Sequence, residues 1–258
     1  KTVLFSRSFG WDVLGRLLSV TDGTTGKVLN RYNYDGAGQI QTWTDTEGSE
    51  HMFHFDPSGN VLSTGTLTLT YPAPGSTLVT PVQGEPYTLI SDISGNRIKR
   101  TSSRDPEIIY TYDSLNRLVA VSPVKFLYDH CGRRIVKVNE ADGQTVYLTS
   151  GDIINLNGSE KTGAKLIRDP FGIIAVVESS GNGNERTYFL EHDQVKSTVL
   201  ITGNGGEVVA MPRYEPFGKL INPTAGLSPY IPGFGGQQFD QETGLAYFNA
   251  RYLDPGIG

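Results

Sequence analysis

A seven-residue pattern recurs along the chain: an aromatic residue, Asp, two variable residues, Gly, a polar residue and an aliphatic one. It stands as Trp11-Asp12-Val13-Leu14-Gly15-Arg16-Leu17, Tyr34-Asp35-Gly36-Ala37-Gly38-Gln39-Ile40 and Phe55-Asp56-Pro57-Ser58-Gly59-Asn60-Val61. It returns as Tyr112-Asp113-Ser114-Leu115-Asn116-Arg117-Leu118 and Tyr128-Asp129-His130-Cys131-Gly132-Arg133-Arg134-Ile135. A weaker copy runs from Asp92 through Gly95 to Ile98, with Ser91 in the aromatic place. Self-similarity of this kind marks an array of like units, each too small to bury its apolar face alone.

Each unit reads as a β-hairpin. Asp suits the first position of a tight turn because its carboxylate accepts backbone N–H groups, and Gly suits the last because a left-handed conformation costs it little. The turn residues are Asp12 and Gly15, Asp35 and Gly38, Asp56 and Gly59, Asp92 and Gly95, Asp113 and Asn116, and Asp129 and Gly132. Asn116 fits the same role, since Asn tolerates positive φ better than most residues. On either side bulky and polar residues alternate, as in Arg31-Tyr32-Asn33-Tyr34 and Gln39-Ile40-Gln41-Thr42-Trp43, the period of a strand with one buried face.

The signature Asp residues fall 23 and 21 positions apart in the first three copies, and 21 and 16 apart from Asp92 to Asp129. Those intervals hold one hairpin and a connection. Residues 1–138 are therefore expected to be hairpins, interrupted at about 63–90, where Leu67, Leu69 and Tyr71 alternate but Pro72, Pro74 and Pro86 argue for a decorated connection. Residues 139–258 read as further hairpins turning at Asp142-Gly143, Asn157-Gly158, Ser180-Gly181-Asn182-Gly183 and Asn204-Gly205-Gly206. The fold class is all-β: repeated hairpins in a spiralling sheet ribbon, with an atypical C-terminal section as a closing element.

With 31 Gly, 14 Pro and 13 Tyr among 258 residues, turns and strands dominate and helix-period apolar runs are scarce. A formal charge of −5 argues against a nucleic-acid partner, which selects clustered Lys and Arg. Arg97-Ile98-Lys99-Arg100 reads as a solvated strand face. The single cysteine, Cys131, excludes an internal disulfide framework. No apolar segment approaches the roughly 20 residues of a membrane-spanning helix. The chain starts at Lys1 and stops inside an apparent turn at Gly258, so it reads as a section of a longer polypeptide.

Candidate chemical sites reduce to turns and strand faces. Asp56-Pro57-Ser58-Gly59 and Asp169-Pro170-Phe171-Gly172 could in principle supply the two carboxylates of an aspartyl protease, but this composition is also that of a type I turn. His51, His54 and Asp56 do not share one strand face, so no metal is expected. His130 and Cys131 are sequence neighbours inside a turn, unlike a catalytic dyad assembled from distant positions. The Gly-rich segments lack the Lys-Ser/Thr and the helix of a phosphate loop. No cofactor is expected. The recurring aromatics read as a cross-strand ladder, with a stacking platform for sugars as the alternative.

The Tyr-Asp-x-x-Gly-Arg-Leu copies resemble YD repeats. From about Tyr188 the chain resembles the core domain associated with Rhs repeats: Tyr188-Phe189-Leu190-Glu191-His192-Asp193 precedes Ser197-Thr198, Arg213-Tyr214-Glu215-Pro216-Phe217-Gly218 follows, and Tyr247-Phe248-Asn249-Ala250-Arg251-Tyr252-Leu253-Asp254-Pro255 ends the series. Gln194-Val195 departs from the usual Leu-Gly. The resemblance covers nearly the whole chain. It implies part of a hollow shell, as in Rhs proteins, the C component of Tc toxins and the YD barrel of teneurins. Such a shell is a non-catalytic module that encloses or presents a C-terminal toxin or effector segment of the same polypeptide, secreted or at the cell surface. Its other partners would be neighbouring shell repeats. Two other functions are compatible with the resemblance: a surface adhesin binding carbohydrate or another cell, and part of an aspartyl autoprotease completed beyond Gly258.

Overall fold

The computed structural model describes residues 5–139, 141, 143–148, 151–222 and 227–257. Strands dominate, and the only helix among the described residues is one 3-10 turn, Phe234–Gly236. Asp142, half of one expected turn, lies outside the described residues. The chain divides into two compact units, Lys1–Ser91 with Arg100–Pro106, and Asp92–Lys99 with Glu107–Gly258.

In the first unit, β1 (Arg7–Trp11), β2 (Leu17–Asp22), β3 (Val28–Tyr34), β4 (Ile40–Thr44) and β5 (Glu50–Met52) pair antiparallel in chain order. β6 (His54–Phe55), β7 (Val61–Ser63), β8 (Leu67–Ala73), β9 (Ser76–Pro81) and β10 (Tyr87–Ser91) continue the up-and-down order. Residues 63–90 thus hold a hairpin, β8 with β9. Its register slips between Thr70 and Ala73, around Pro72, which has no N–H to give a ladder. Val20, Trp43, Phe53, Leu69, Val79 and Leu89 are among the buried apolar side chains of this unit.

The division between units passes through β11 (Arg97–Ser102). In the second unit, β12 (Ile108–Tyr112), β13 (Leu118–Val121), β14 (Val124–Tyr128), β15 (Arg134–Asn139), β16 (Gly143–Tyr147) and β17 (Asp152–Asn157) begin a long antiparallel meander. β18 (Glu160–Arg168), β19 (Ile173–Ser179), β20 (Glu185–His192), β21 (Thr198–Thr202) and β22 (Val208–Ala210) extend it. β23 (Gln238–Asp240), β24 (Leu245–Phe248) and β25 (Arg251–Leu253) form a separate small sheet.

Beside the Asp12, Asp35, Asp56, Asp113 and Asp129 turns the register slips by one residue. Trp11 therefore faces Leu17, Tyr34 faces Ile40, Phe55 faces Val61, Tyr112 faces Leu118 and Tyr128 faces Arg134. The bulge makes the first and last residues of the seven-residue motif direct cross-strand partners on one face. Along the meander, Leu166 faces Val176, which faces Tyr188, and Leu190 faces Ile201, which faces Ala210. These residues form one buried cluster with Tyr230, against which Leu227 and Ile231 pack. A second cluster joins Tyr110, Leu118, Val121, Val124 and Phe126 to Leu245, with Tyr252 alongside. The C-terminal segment covers the meander's apolar face in both places. Each such side chain contributes roughly 1.5–3 kcal/mol when fully buried.

Candidate functional site

The repeat turns share one geometry. Oδ1 of Asp12 accepts from the N–H of Leu14 and Arg16 at 2.9 and 2.8 Å, and Oδ1 of Asp35 from Ala37 and Gln39 at 2.9 Å each. Asp56, Asp92, Asp113 and Asp129 accept in the same way from the amides two and four residues on. Gly15, Gly38, Gly59, Gly95 and Gly132 all have φ between 76° and 88°, and Asn116 has φ of 57°. Two further turns of this kind carry no aromatic-Asp-x-x-Gly signature. Asp45 follows Thr44 rather than an aromatic residue, and the Asp193 turn places Lys196, φ 71°, where Gly stands elsewhere.

The residue after the Gly locks the turn and then the next repeat. Arg16 Nε donates to Asp12 at 2.6 Å, and its guanidinium lies 4.8 Å from the ring centre of Tyr34, the aromatic of the following copy. Arg117 repeats both contacts with Asp113, at 2.7 Å, and Tyr128, at 5.1 Å. The tyrosine hydroxyls reach back to the preceding copy: Tyr34 donates to the Leu17 carbonyl at 2.8 Å and Tyr128 to that of Leu118 at 2.5 Å. Burial pushes the Tyr128 hydroxyl up to about 12. Both ends of the motif are thus committed to holding neighbouring hairpins in register.

One copy breaks the rule, and its exception builds the densest polar site of the second unit. Arg134 occupies the aliphatic place, and the bulge beside Tyr128 turns it onto the covered face. There its side chain is 1% exposed and pairs with Asp240 on β23, itself 2% exposed. Its guanidinium lies 5.3, 4.6 and 4.4 Å from the ring centres of Phe126, Tyr147 and Tyr247. Nη2 donates to the Tyr147 hydroxyl at 3.1 Å, and the Arg134 backbone N–H to the Tyr247 hydroxyl at 2.8 Å. Burial would press Arg134 toward neutrality, but Tyr147, Asp240 and Tyr252 more than offset it and hold the charge in place. Lys137 adds contacts to Asp240 at 3.2 Å and Glu242 at 2.7 Å. This clasp fastens the C-terminal sheet to β15. Asp240 carries no motif of its own; an arginine in an aliphatic repeat place was the available sign.

The other sequence candidates are engaged locally. Asp56 and Asp169 each accept, through Oδ1, from two amides of their own turns. His51 stacks on Trp43 at 4.7 Å and contacts Asp45 at 3.1 Å, while His54 bonds Ser63 at 2.8 Å. His130 Nε2 lies 3.2 Å from the exposed Cys131 Sγ, with Asp129 committed to its turn. Among the described residues no three His, Cys, Asp or Glu side chains are placed to share a metal ion, and no helix is long and apolar enough to cross a membrane.

The Teneurin YD-shell family model matches residues 2–258. Relatives include double-stranded DNA deaminase toxin A of Burkholderia cenocepacia (strain H111), 23% identical over 96% of this chain and 22% of that protein. Teneurin-1 of Gallus gallus is 24% identical over 98% of this chain and 10% of its own length. A crystal structure of TcdB2-TccC3 is similar at a TM-score of 0.51 and 14% identity, over 98% of this chain and 20% of that one, a likeness of fold. The chain therefore spans about a fifth of the toxin and a tenth of the teneurin. A ladder of Asp-turn hairpins locked Tyr to carbonyl, matched over nearly every residue, leaves one assignment: this chain belongs to the Teneurin YD-shell family.

Proposed function

We propose that this chain is a non-catalytic section of shell wall that encloses or presents a C-terminal effector segment of the same polypeptide, secreted or displayed at the cell surface. The observation that carries the reading is the spending of the repeat's polar groups on architecture. The turn carboxylates hold amides, Arg16 and Arg117 bridge to the next hairpin, and Arg134 and Asp240 fasten the C-terminal sheet over the apolar face. A toxin relative more than four times the length of the matched region supports an effector elsewhere in the polypeptide. Asp56 and Asp169, bound to their own turns, support a wall without a protease pair of its own.

Electron microscopy of the intact polypeptide, combined with limited proteolysis, tests this. The expected result is a closed shell with unresolved density inside and an effector segment cleaved only after the shell is opened. A compact body or open rod without a cavity, with the C-terminal segment cleaved freely, overturns it.

A further inference from the structure

The second unit holds a cavity of about 460 Å³ between the β15 to β18 hairpins and the C-terminal sheet. We propose that it binds a small oxyanion, either a free ion of the phosphate type or the carboxylate of an acidic peptide. The inference stands whether or not the chain walls a shell.

Several donors are left over after the clasp is made. Tyr147 and Tyr247 line the cavity, and both hydroxyl oxygens accept from Arg134. Each hydroxyl keeps its own hydrogen, and no acceptor among the described residues takes it. Arg133 commits Nε and Nη2 to Asp129, both at 2.8 Å, which leaves Nη1. Arg168 lines the same space, and no carboxylate among the described residues pairs with it. Asn249, held at φ 56°, adds an amide at the rim. Asp152, which also lines this wall, has an interaction of its own.

A wall with two phenol hydrogens, two guanidinium groups and an amide wants a ligand rich in acceptor lone pairs. An oxyanion offers several, and an arginine fork meets two of its oxygens at once. Gly151, at φ 93°, adjoins Arg168, whose Nε would be in ordinary van der Waals contact with an added Cβ at 3.4 Å. The volume falls within the usual range for small-ligand sites, about 300–1,000 Å³.

Titration calorimetry of the intact polypeptide with sodium phosphate and with N-acetyl-aspartyl amide, at an ionic strength held constant with chloride, tests the site. Saturable binding of at least one probe is expected, weakened about tenfold or more by Arg168→Gln and by Arg133→Gln. Saturation by phosphate alone identifies a free ion as the ligand, and saturation by the aspartyl probe alone identifies an acidic peptide. Tungstate diffraction on the wild-type protein checks the position without relying on a variant, and density between Arg168 and Tyr247 is expected. No saturation by either probe, unchanged binding in both variants, or tungstate placed elsewhere overturns the proposal.

Discussion

Arg134 donates through Nη1 to Oδ2 of Asp240 across 106 residues of sequence, with the two side chains 1% and 2% exposed. No other described ion pair is as deeply buried on both sides. Removing Asp240 strands the Arg134 charge among Phe126, Tyr147 and Tyr247, whereas removing Arg134 leaves Asp240 its contact with Lys137.

Asp240→Ala is therefore expected to destabilise the second unit by roughly 3–5 kcal/mol, the usual cost of breaking a buried pair. The double variant Arg134→Met with Asp240→Leu is expected to recover most of that loss, because apolar side chains suit the surrounding rings. Denaturant unfolding of the three proteins measures both effects. A double variant no better than the single one would place the clasp's value in its hydrogen bonds rather than in charge compensation.

The tyrosine hydroxyls supply a smaller and more local lock. Tyr34→Phe is expected to cost about 1 kcal/mol in the first unit, and Tyr128→Phe about 1–2 kcal/mol in the second. The second figure is larger because the Tyr128 hydroxyl also meets Tyr252 at 3.0 Å. Unfolding followed by probes placed in each unit separates the two.

Two positions of the same turn geometry are expected to respond with opposite signs. Lys196 at φ 71° has a conformation that glycine adopts freely, so Lys196→Gly is expected to stabilise by a few tenths to about 1 kcal/mol. Gly38 at φ 84° has open space around its would-be Cβ, whose nearest neighbour is Arg16 Nη1 at 3.8 Å, so Gly38→Ala costs about 1–2 kcal/mol through backbone strain alone. Thermal midpoints at neutral pH check both.

Acid is expected to weaken the protein in two windows. Burial depresses His192 below its ordinary 6.5, against the pull of Glu191, Asp193 and Asp169 and with a small push from Lys196. A histidine with a depressed folded value gives stability that is complete above about pH 6.5 and is lost as pH falls from there. The turn carboxylates are depressed below 3.8: Asp12 and Asp129 chiefly by the amides of Arg16 and Arg133, Asp56 and Asp92 by the side chains of Asn60 and Asn96, and Asp22 by the Thr24 hydroxyl to about 2. Their contribution is complete above about pH 4 and is lost as pH falls through those lower values. Unfolding midpoints between pH 8 and 2 reveal both steps. His192→Gln should remove the upper one, and Asp129→Asn should reduce the lower by one carboxylate's share while keeping an oxygen for the turn amides.

The all-β architecture and the YD-shell family were legible in the sequence because they depend on near neighbours. Aromatic, Asp, Gly and aliphatic residues at short fixed spacing specify a turn and its two flanking strands, whatever lies elsewhere. Legibility failed where one residue departed from the pattern. Asp45 lacks an aromatic before it and Asp193 has Lys196 in the glycine place, yet their carboxylates cap turns in the same way, because Oδ1 needs only the two following amides in reach. In 63–90 the prolines marked a real disturbance, the slip around Pro72, but a bulge absorbed it within a hairpin.

By itself the sequence determined the local grammar: where the chain reverses, which residues flank each reversal, and the kinship that follows from their repetition. Only the tertiary structure decided which strand face is covered and by what. Arg134 is unremarkable in the chain until the bulge beside Tyr128 turns it inward, and Asp240 acquires a role only when the C-terminal sheet folds back over β15. The physical reason is range. Turn chemistry acts over four or five residues, whereas a buried charge is tolerable only against a partner supplied by the fold, here 106 residues away.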